Sequence, residues 1–211
     1  MGTFVYQLRG PRERVIGYSP RVSEPQHVSD KHVSEPRKRP VPFSHCGSCG
    51  TPYPSTAGWP RVCAACGATA YRNPLPVAIA LAPVTDDNGG GLVVITRTIE
   101  PEYGGVALPG GFIDHGEDWR HAVVRELREE TGIEADSADV RLADALSSPG
   151  GHLLLFGLLP ERRAGQLPPS RPTEETSGWH LLRAPAQLAF PLHTEAVRSW
   201  FAGRYDTAGG A

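Results

Sequence analysis

Residues 111–133 read GFIDHGEDWRHAVVRELREETGI, and the rest of the chain is interpreted outward from this stretch. Apolar side chains recur at helical spacing, acidic side chains occupy the first turn, and Gly132 stands where a C-cap glycine belongs. The apolar positions are Trp119, Val123 and Leu127. The pattern predicts a helix over residues 117–131, with one face directed to a core and another left free.

The free face carries three carboxylates. Glu126 is three residues before Glu129 and four before Glu130, so all three can project from the same side of the helix. Like charges at this spacing repel each other, which favours a bound cation, and oxygen ligands suit Mg²⁺ or Mn²⁺. The alternative is a solvated face on which Arg125 and Arg128 pair with the glutamates. The tight loop at residues 108–111 favours the metal, because it can place backbone groups beside the acidic face.

The stretch resembles the Nudix box, written G-x5-E-x7-R-E-U-x-E-E-x-G-U with U aliphatic, at every specified position from Gly111 to Ile133. The resemblance implies an α+β fold in which a mixed sheet is sandwiched between helices, as an α/β/α sandwich. It implies four ligands of Mg²⁺ or Mn²⁺: the Gly111 carbonyl, Glu126, Glu129 and Glu130. It also implies that Glu117 and Arg125 form an ion pair that supports the loop.

Hydrolysis of a phosphoanhydride needs a group that accepts a proton from the attacking water. In this family the base is a box glutamate in some members and a glutamate on a later loop in others. Glu126 and Glu129 are therefore candidates within the box. Glu174 and Glu175 are the loop candidates, although an exposed loop carboxylate without a catalytic role is an equal alternative for both.

Four cysteines form two C-x-x-C pairs separated by a 13-residue spacer, residues 50–62. This pattern is typical of a zinc ribbon with a closed shell of four thiolates, in which the zinc is structural. The predicted ligands are Cys46, Cys49, Cys63 and Cys66. Disulfides or a redox dithiol are the alternatives, and His45 is interpreted as a flanking side chain.

A zinc ribbon followed by a Nudix box resembles the NADH pyrophosphatase and ADP-ribose pyrophosphatase branches of the family. The NADH branch carries a Ser-Gln-Pro-Trp-Pro-Phe-Pro-like motif after its box, whereas residues 145–152 here read ALSSPGGH. We therefore expect cleavage of a nucleoside diphosphate linked to another moiety, with ADP-ribose favoured over NADH, NAD or FAD. A coenzyme A or nucleoside triphosphate hydrolase stays open. So does a non-catalytic sensor that binds a nucleotide and contacts nucleic acid or protein, although a sensor has no chemical need for the metal-binding set.

The remaining sequence divides the chain into three parts: a disordered tail at residues 1–43, the ribbon at 44–70 and the Nudix domain at 71–207. The tail holds eight basic against four acidic residues, yet the whole chain has a formal net charge of only -2, so no nucleic-acid partner is expected. The early residues show no secretory signal and no apolar run is long enough to span a membrane, which predicts a cytoplasmic protein. A homodimer stays open, because dimers are common in the family.

Further elements follow from apolar runs and turn residues. Residues 77–84 are predicted as a buried strand, with residues 92–96 as its hairpin partner after a turn at 86–91. Three more strands are predicted at residues 140–145, 152–159 and 179–182, and a last helix at 194–205.

Overall fold

The computed structural model describes residues 43–205. The tail predicted at residues 1–43 therefore lies outside the described residues except for Phe43, as do residues 206 and 207 of the predicted Nudix domain. The strands are β1 Arg61–Val62, β2 Thr69–Ala70, β3 Leu75–Leu81, β4 Pro83–Asp86, β5 Gly89–Arg97, β6 Val106–Ala107, β7 Gly110–Phe112, β8 Arg141–Ser147, β9 His152–Leu158, β10 Arg162–Arg163 and β11 Thr176–Leu182. The helices are α1 Trp119–Thr131 and α2 Pro191–Phe201, with short 3₁₀ turns at Ser137–Asp139 and Ala164–Gln166.

Two mixed sheets form the body of the molecule, and β1 pairs with β2 in a separate small ribbon. The four-stranded sheet has the order β7-β3-β9-β8, in which β3 and β9 are parallel and the other neighbours are antiparallel. The five-stranded sheet has the order β10-β4-β5-β11, with β6 also paired to β5, and only its β10-β4 pair is parallel. The predicted α+β class with a mixed sheet is confirmed.

The prediction of a single strand at residues 77–84 is wrong in one respect. These residues form two strands, which belong to different sheets and are separated at Ala82. The hairpin partner pairs with β4, where Asp86 lies opposite Gly89 across a two-residue turn. The Asn88 amide donates to Asp86 Oδ1 at 2.8 Å and closes this turn. A continuous apolar run cannot reveal a change of sheet, since both segments are buried. Pro83 marks the division, because a first strand position tolerates its missing N–H.

Side chains alternate along β3 and serve two separate cores. Ala78 and Ala80 face the cluster that contains α1, whereas Ile79 and Leu81 face the cluster that contains α2. The sheets therefore lie between the two helices, as the Nudix resemblance implies. Small residues bring α1 close to the sheet, and Gly157 on β9 is one of them: a Cβ there would lie 2.7 Å from Val140 Cγ1 and 2.8 Å from Val123 Cγ2 on α1.

The residues at the N-terminus of each helix determine where the helix begins. The side chain of Asp118 accepts from the Arg120 amide and caps α1, so the helix begins at Trp119 rather than at residue 117. Gly132 ends it in the left-handed conformation, at φ 74°. The last helix begins three residues earlier than predicted, since Pro191 occupies its first turn. Within residues 43–205, neither helix is long and apolar enough to cross a membrane.

Candidate active site

Strand β7 places the Gly-Gly turn directly against α1. It pairs with β3 so that Gly111 lies opposite Ala78 and Gly110 opposite Ile79. A Cβ on Gly111 would lie only 2.5 Å from Glu126 Oε1, so only glycine allows this approach. The backbone of Gly111 and the Glu126 carboxylate therefore border the same small space.

Arg125 ties the loop to the helix through all parts of its guanidinium group. Its Nε and Nη2 donate to the two carboxylate oxygens of Glu117 at 2.8 and 2.9 Å, and Nη2 also donates to the Phe112 carbonyl at 3.1 Å. Its Nη1 donates to Glu126 Oε1 at 2.6 Å and to Glu129 Oε2 at 3.3 Å. The hydrogen bonds from Arg125 lower the pKa of Glu117 to about 2. Glu117 and Arg125 thus form an ion pair, as the Nudix resemblance implies, and this pair holds the loop on α1.

Glu130 is the most enclosed of the three box carboxylates, with 3% of its surface exposed. Its Oε2 accepts a hydrogen bond from the Gly110 amide at 2.8 Å. Burial raises the pKa of Glu130 to about 8, against the lowering effect of that hydrogen bond, and the charges of Glu126 and Glu175 raise it further. No arginine or lysine in the described part of the chain forms an ion pair with it. A buried carboxylate without a cationic partner fits a site that receives a cation.

Glu126 and Glu129 complete the acidic face but differ in exposure. The side chain of Glu126 is 13% exposed and that of Glu129 is 51% exposed. Burial raises the pKa of Glu126, the contact with Arg125 lowers it, and the nearby charges of Glu129 and Glu175 raise it again. Arg125 pairs with Glu126 and Glu129, and Arg128 pairs with Glu129, but neither arginine forms an ion pair with the buried Glu130. A solvated salt-bridged face therefore does not account for the whole cluster.

The two loop glutamates are placed differently with respect to this face. Glu175 is close enough for its charge to raise the pKa of Glu126 and of Glu130, whereas Glu174 is not among the main contributors to either shift. The loop is held to β5, because the Thr98 amide donates to the Glu175 carbonyl at 2.8 Å and the Thr98 hydroxyl to the Glu174 carbonyl at 3.3 Å. Glu175 thus acts electrostatically on the carboxylate cluster, and the catalytic role of either residue stays a prediction.

Comparison with known proteins identifies the arrangement. A family model described as the NUDIX domain matches residues 74–202, which is more than half of the chain. The chain belongs to the NUDIX family. The match begins just before β3 and ends just after α2, so it covers the two sheets, the carboxylate helix and the loop that carries Glu175.

Two curated relatives of this NUDIX chain carry different names. An NAD-capped RNA hydrolase NudC from Stutzerimonas stutzeri is 29% identical over 188 residues, which is 87% of this chain and 59% of the relative. An ADP-ribose pyrophosphatase from Methanocaldococcus jannaschii is 31% identical over 134 residues, which is 62% of this chain and 76% of the relative. The chain thus spans about three fifths of the NudC relative.

The fold of a solved structure agrees with the family assignment. A NUDIX hydrolase from Nitrosomonas europaea superimposes with a TM-score of 0.60 at 20% identity. The match covers 78% of this chain and 94% of that one. At this level of identity the likeness concerns the fold alone.

The four cysteines lie together before the NUDIX domain and are not paired as disulfides. Their sulfur atoms all lie within 4.8 Å of one another, with Cys46 and Cys66 at 3.7 Å and Cys49 and Cys63 at 3.6 Å. Four thiolates bound tetrahedrally at about 2.3 Å from one metal have sulfur atoms about 3.8 Å apart. The Ser48 amide donates to Cys46 Sγ at 3.4 Å. This hydrogen bond is the largest of the effects that lower the pKa of the Cys46 thiol to about 6. The cluster has the geometry of a four-thiolate metal site.

Sequence reasoning did not orient the aromatic residues near the site. Phe156 is fully buried in the core, whereas Phe112, next to Gly111, is 56% exposed and contacts His152 with ring centroids 5.9 Å apart. Leu75, opposite His152 in the sheet, is 54% exposed. These three residues form a partly exposed surface, which we call the apolar shelf, on the α2 side of the four-stranded sheet, and Phe112 connects it directly to Gly111. Only the pairing of β3, β7 and β9 brings them together, so no local signal could have located the shelf.

Proposed function

We propose that the protein is a metal-dependent hydrolase that cleaves the diphosphate of a nucleoside diphosphate linked to another moiety. The observation that carries the proposal is the buried Glu130 carboxylate, which accepts from the Gly110 amide, lies on the same helix face as Glu126 and Glu129, and forms no ion pair among the described residues. These three carboxylates and the Gly111 carbonyl are oxygen donors that suit Mg²⁺ or Mn²⁺. A metal bound there supplies positive charge that offsets the charge of the phosphate oxygens.

The chain's own residues then have distinct tasks. Arg125 and Glu117 hold the loop so that the Gly111 backbone stays beside Glu126. A carboxylate at the edge of the cluster accepts the proton from the attacking water. The water oxygen forms a bond to one phosphorus as the bond from that phosphorus to the bridging oxygen breaks, and two phosphomonoesters result. Glu175 is the best placed base, because it is exposed to solvent and acts electrostatically on both Glu126 and Glu130.

The apolar shelf supports a nucleoside conjugate as the substrate. Phe112 offers an exposed ring next to Gly111, where a base can stack while the diphosphate lies on the carboxylates. The turn of the β8-β9 hairpin is short, since the Gly151 amide donates to the Ser148 carbonyl at 3.1 Å, and this turn leaves Phe112 and Leu75 exposed. We favour ADP-ribose, which is cleaved to AMP and ribose 5-phosphate. NAD or NADH is the second candidate, because a curated relative that matches 87% of this chain is named an NAD-capped RNA hydrolase.

A substrate panel with product identification tests the proposal. Purified protein in Mg²⁺ or Mn²⁺ is assayed with ADP-ribose, NAD, NADH, FAD, coenzyme A and a nucleoside triphosphate. We expect the highest kcat/KM for ADP-ribose. A tenfold preference for NADH, about 1.4 kcal/mol of transition-state stabilisation, would replace ADP-ribose by the second candidate. No cleavage of any diphosphate compound would contradict the hydrolase and point to a non-catalytic sensor.

The metal of the cysteine cluster is proposed to be zinc with a structural role. Because a closed shell of four thiolates has no open position, this zinc takes no part in hydrolysis. Cys46→Ser is expected to lose about one zinc per chain, since metal binding and folding of small ribbons are coupled. Ser48→Ala is the matched control, because the Ser48 amide and not its hydroxyl contacts Cys46. Disulfides and no zinc in the purified wild-type protein would contradict the zinc site.

A further inference from the structure

A cavity lies between the last turn of α1 and the segment before Glu175. Its volume is about 370 Å³. We call it the arginine pocket, and its lining residues are Arg128, Glu129, Thr131, Gly132, Pro168, Pro169, Arg171 and Thr173. It shares Glu129 with the acidic face, so a molecule bound at the carboxylates can extend into it.

Both arginines of the pocket have little to bind within the protein. Across residues 43–205, the Arg171 guanidinium makes no hydrogen bond or ion pair, and the nearest acidic oxygen to Arg128 is Glu129 Oε1 at 3.9 Å. Two backbone carbonyls at the end of α1 already accept other hydrogen bonds and do not bind the guanidinium groups. The Arg128 carbonyl accepts from the Gly132 amide, and the Glu130 carbonyl accepts from the Thr176 hydroxyl. One unpaired guanidinium group, that of Arg171, and one held only by a long ion pair, that of Arg128, thus line the same cavity.

The wall that carries Arg171 is held in place by hydrogen bonds. The Ser170 hydroxyl accepts from the Trp179 amide at 2.8 Å, and the Thr173 amide donates to the Thr176 carbonyl at 2.9 Å. Thr176 in turn donates to the Glu130 carbonyl at 3.0 Å and connects β11 with α1. The backbone of this wall is therefore held in place without a hydrogen bond from either arginine side chain.

The shelf and the pocket lie on opposite sides of the carboxylates. The Phe112 carbonyl is bound by Arg125, whereas Gly132 in the pocket lies seven residues further along the chain, about 10 Å along the helix axis. A conjugate whose base stacks on Phe112 and whose diphosphate lies on the glutamates has its second moiety directed to the pocket. Arginine binds phosphate oxygens through paired hydrogen bonds, and a phosphate monoester carries more charge than a diphosphate linkage does per phosphorus.

We propose that the arginine pocket binds an additional phosphate on the moiety linked to the nucleoside diphosphate. The preferred substrates are then conjugates whose non-nucleoside half is itself phosphorylated. This inference rests on the proposed function, because it uses the orientation in which the base lies on the shelf. The negative charge of Glu129 does not prevent it, since Arg125 lies 3.3 Å from that carboxylate.

The test compares three substrates that differ by the presence or position of one phosphate. ADP-ribose 1″-phosphate carries it on the ribose that is linked to ADP, ADP-ribose 2′-phosphate carries it on the adenosine side, and ADP-ribose carries neither. We expect kcat/KM for the 1″-phosphate to exceed that for ADP-ribose by about tenfold, as for a hydrogen-bonded charged group. The 2′-phosphate should show no such gain. The advantage should fall with added KCl, because exposed charges are screened.

Arg171→Gln and Arg128→Gln are the variants, and Arg198→Gln, an exposed arginine on α2, is the matched control. Each pocket variant should lose most of the 1″-phosphate advantage and keep its rate on ADP-ribose, whereas the control should keep both. Equal rates on the 1″-phosphate and ADP-ribose in the wild type, or an equal loss on both in the variants, would overturn the inference.

If none of the three compounds is cleaved, the proposed function fails and binding alone decides the inference. Calorimetry in Mg²⁺ with the same three compounds then gives the answer. Tighter binding of the 1″-phosphate that depends on Arg171 supports the pocket as a phosphate site, and equal binding of all three compounds contradicts it.

Discussion

Substitution of Glu130 is expected to lower turnover without lowering the stability of the metal-free protein. Glu130→Gln keeps an oxygen that accepts from the Gly110 amide but removes a buried charge. We expect turnover in Mg²⁺ to fall about 100-fold or more, as when a main electrostatic stabiliser of a transition state is lost. Without added divalent cation the variant should be at least as stable as the wild type at pH 7, because burial disfavours the charged carboxylate.

Thermal unfolding with and without Mg²⁺, together with kcat, checks this prediction. Mg²⁺ should raise the Tm of the wild type more than that of the variant, since a ligand stabilises only the fold that binds it. Glu195→Gln, an exposed glutamate on α2, is the control and should behave like the wild type in every measurement. Normal turnover in the Glu130 variant would remove it from the metal ligands.

The neighbouring loop glutamates give a second test at single residues. Glu175→Gln should reduce kcat by about 100-fold with little change in KM, because the base acts in the chemical step. Glu174→Gln, the same substitution one residue earlier, should have little effect, since only its carbonyl is used, as the acceptor for Thr98. Equal losses in the two variants would mean that the loop acts as a structural unit. Full activity in both would assign the base to the box.

The contact between α1 and the four-stranded sheet determines how the carboxylates on α1 are positioned relative to β7. Gly157 allows that contact, because a Cβ there would lie 2.7 Å from Val140 Cγ1. Gly157→Ala should lower the free energy of unfolding by about 1 to 3 kcal/mol through overpacking. Gly165→Ala is the control, since a Cβ at Gly165 meets nothing within 4 Å. Urea unfolding of both variants measures the difference, and equal stabilities would contradict the close helix-sheet contact.

The stability of the whole molecule depends on pH through buried groups in both layers. His193 on α2 is 4% exposed and its Nδ1 accepts from the Leu108 amide at 3.2 Å. Burial, with a smaller effect of Arg97, lowers the pKa of His193 to about 3, so the folded protein keeps it neutral. Below the ordinary pKa of 6.5 the unfolded chain takes up a proton that the fold excludes, so this group destabilises the fold as the pH falls.

Substitution separates this effect from that of Glu130, which has the opposite sign. A carboxyl with a raised pKa binds its proton in the fold, so Glu130 destabilises the metal-free fold as the pH rises above 4.5. Relative to the wild type, His193→Gln should gain about 1 kcal/mol of unfolding free energy between pH 7 and pH 5.5. Glu130→Gln should lose free energy over the same range. Urea titrations at the two pH values check both signs, and a pH-independent difference for either variant would contradict its assignment.

Much of the fold could be predicted from local patterns in the sequence. The apolar spacing and Gly132 determined α1 nearly to its ends, and the alternating and continuous apolar runs located β5, β8, β9 and β11. The apolar runs could not show which strands pair with each other. Ala82, for example, lies within one apolar run and yet separates two strands that belong to different sheets. The shortest strands, including β6 and β7, were not predicted, since two or three residues carry no period.

By itself, the sequence determined the family and the candidate residues for its chemistry, because the Nudix box and the two C-x-x-C pairs are patterns of local spacing. Only the tertiary structure determined how the environments of those residues differ. It buried Glu130, left Glu129 exposed, gave Glu175 an electrostatic effect on the cluster, and formed a shelf and an arginine pocket. Burial, pKa and distance across a site arise from packing between strands and helices far apart in the chain, and no local pattern encodes them.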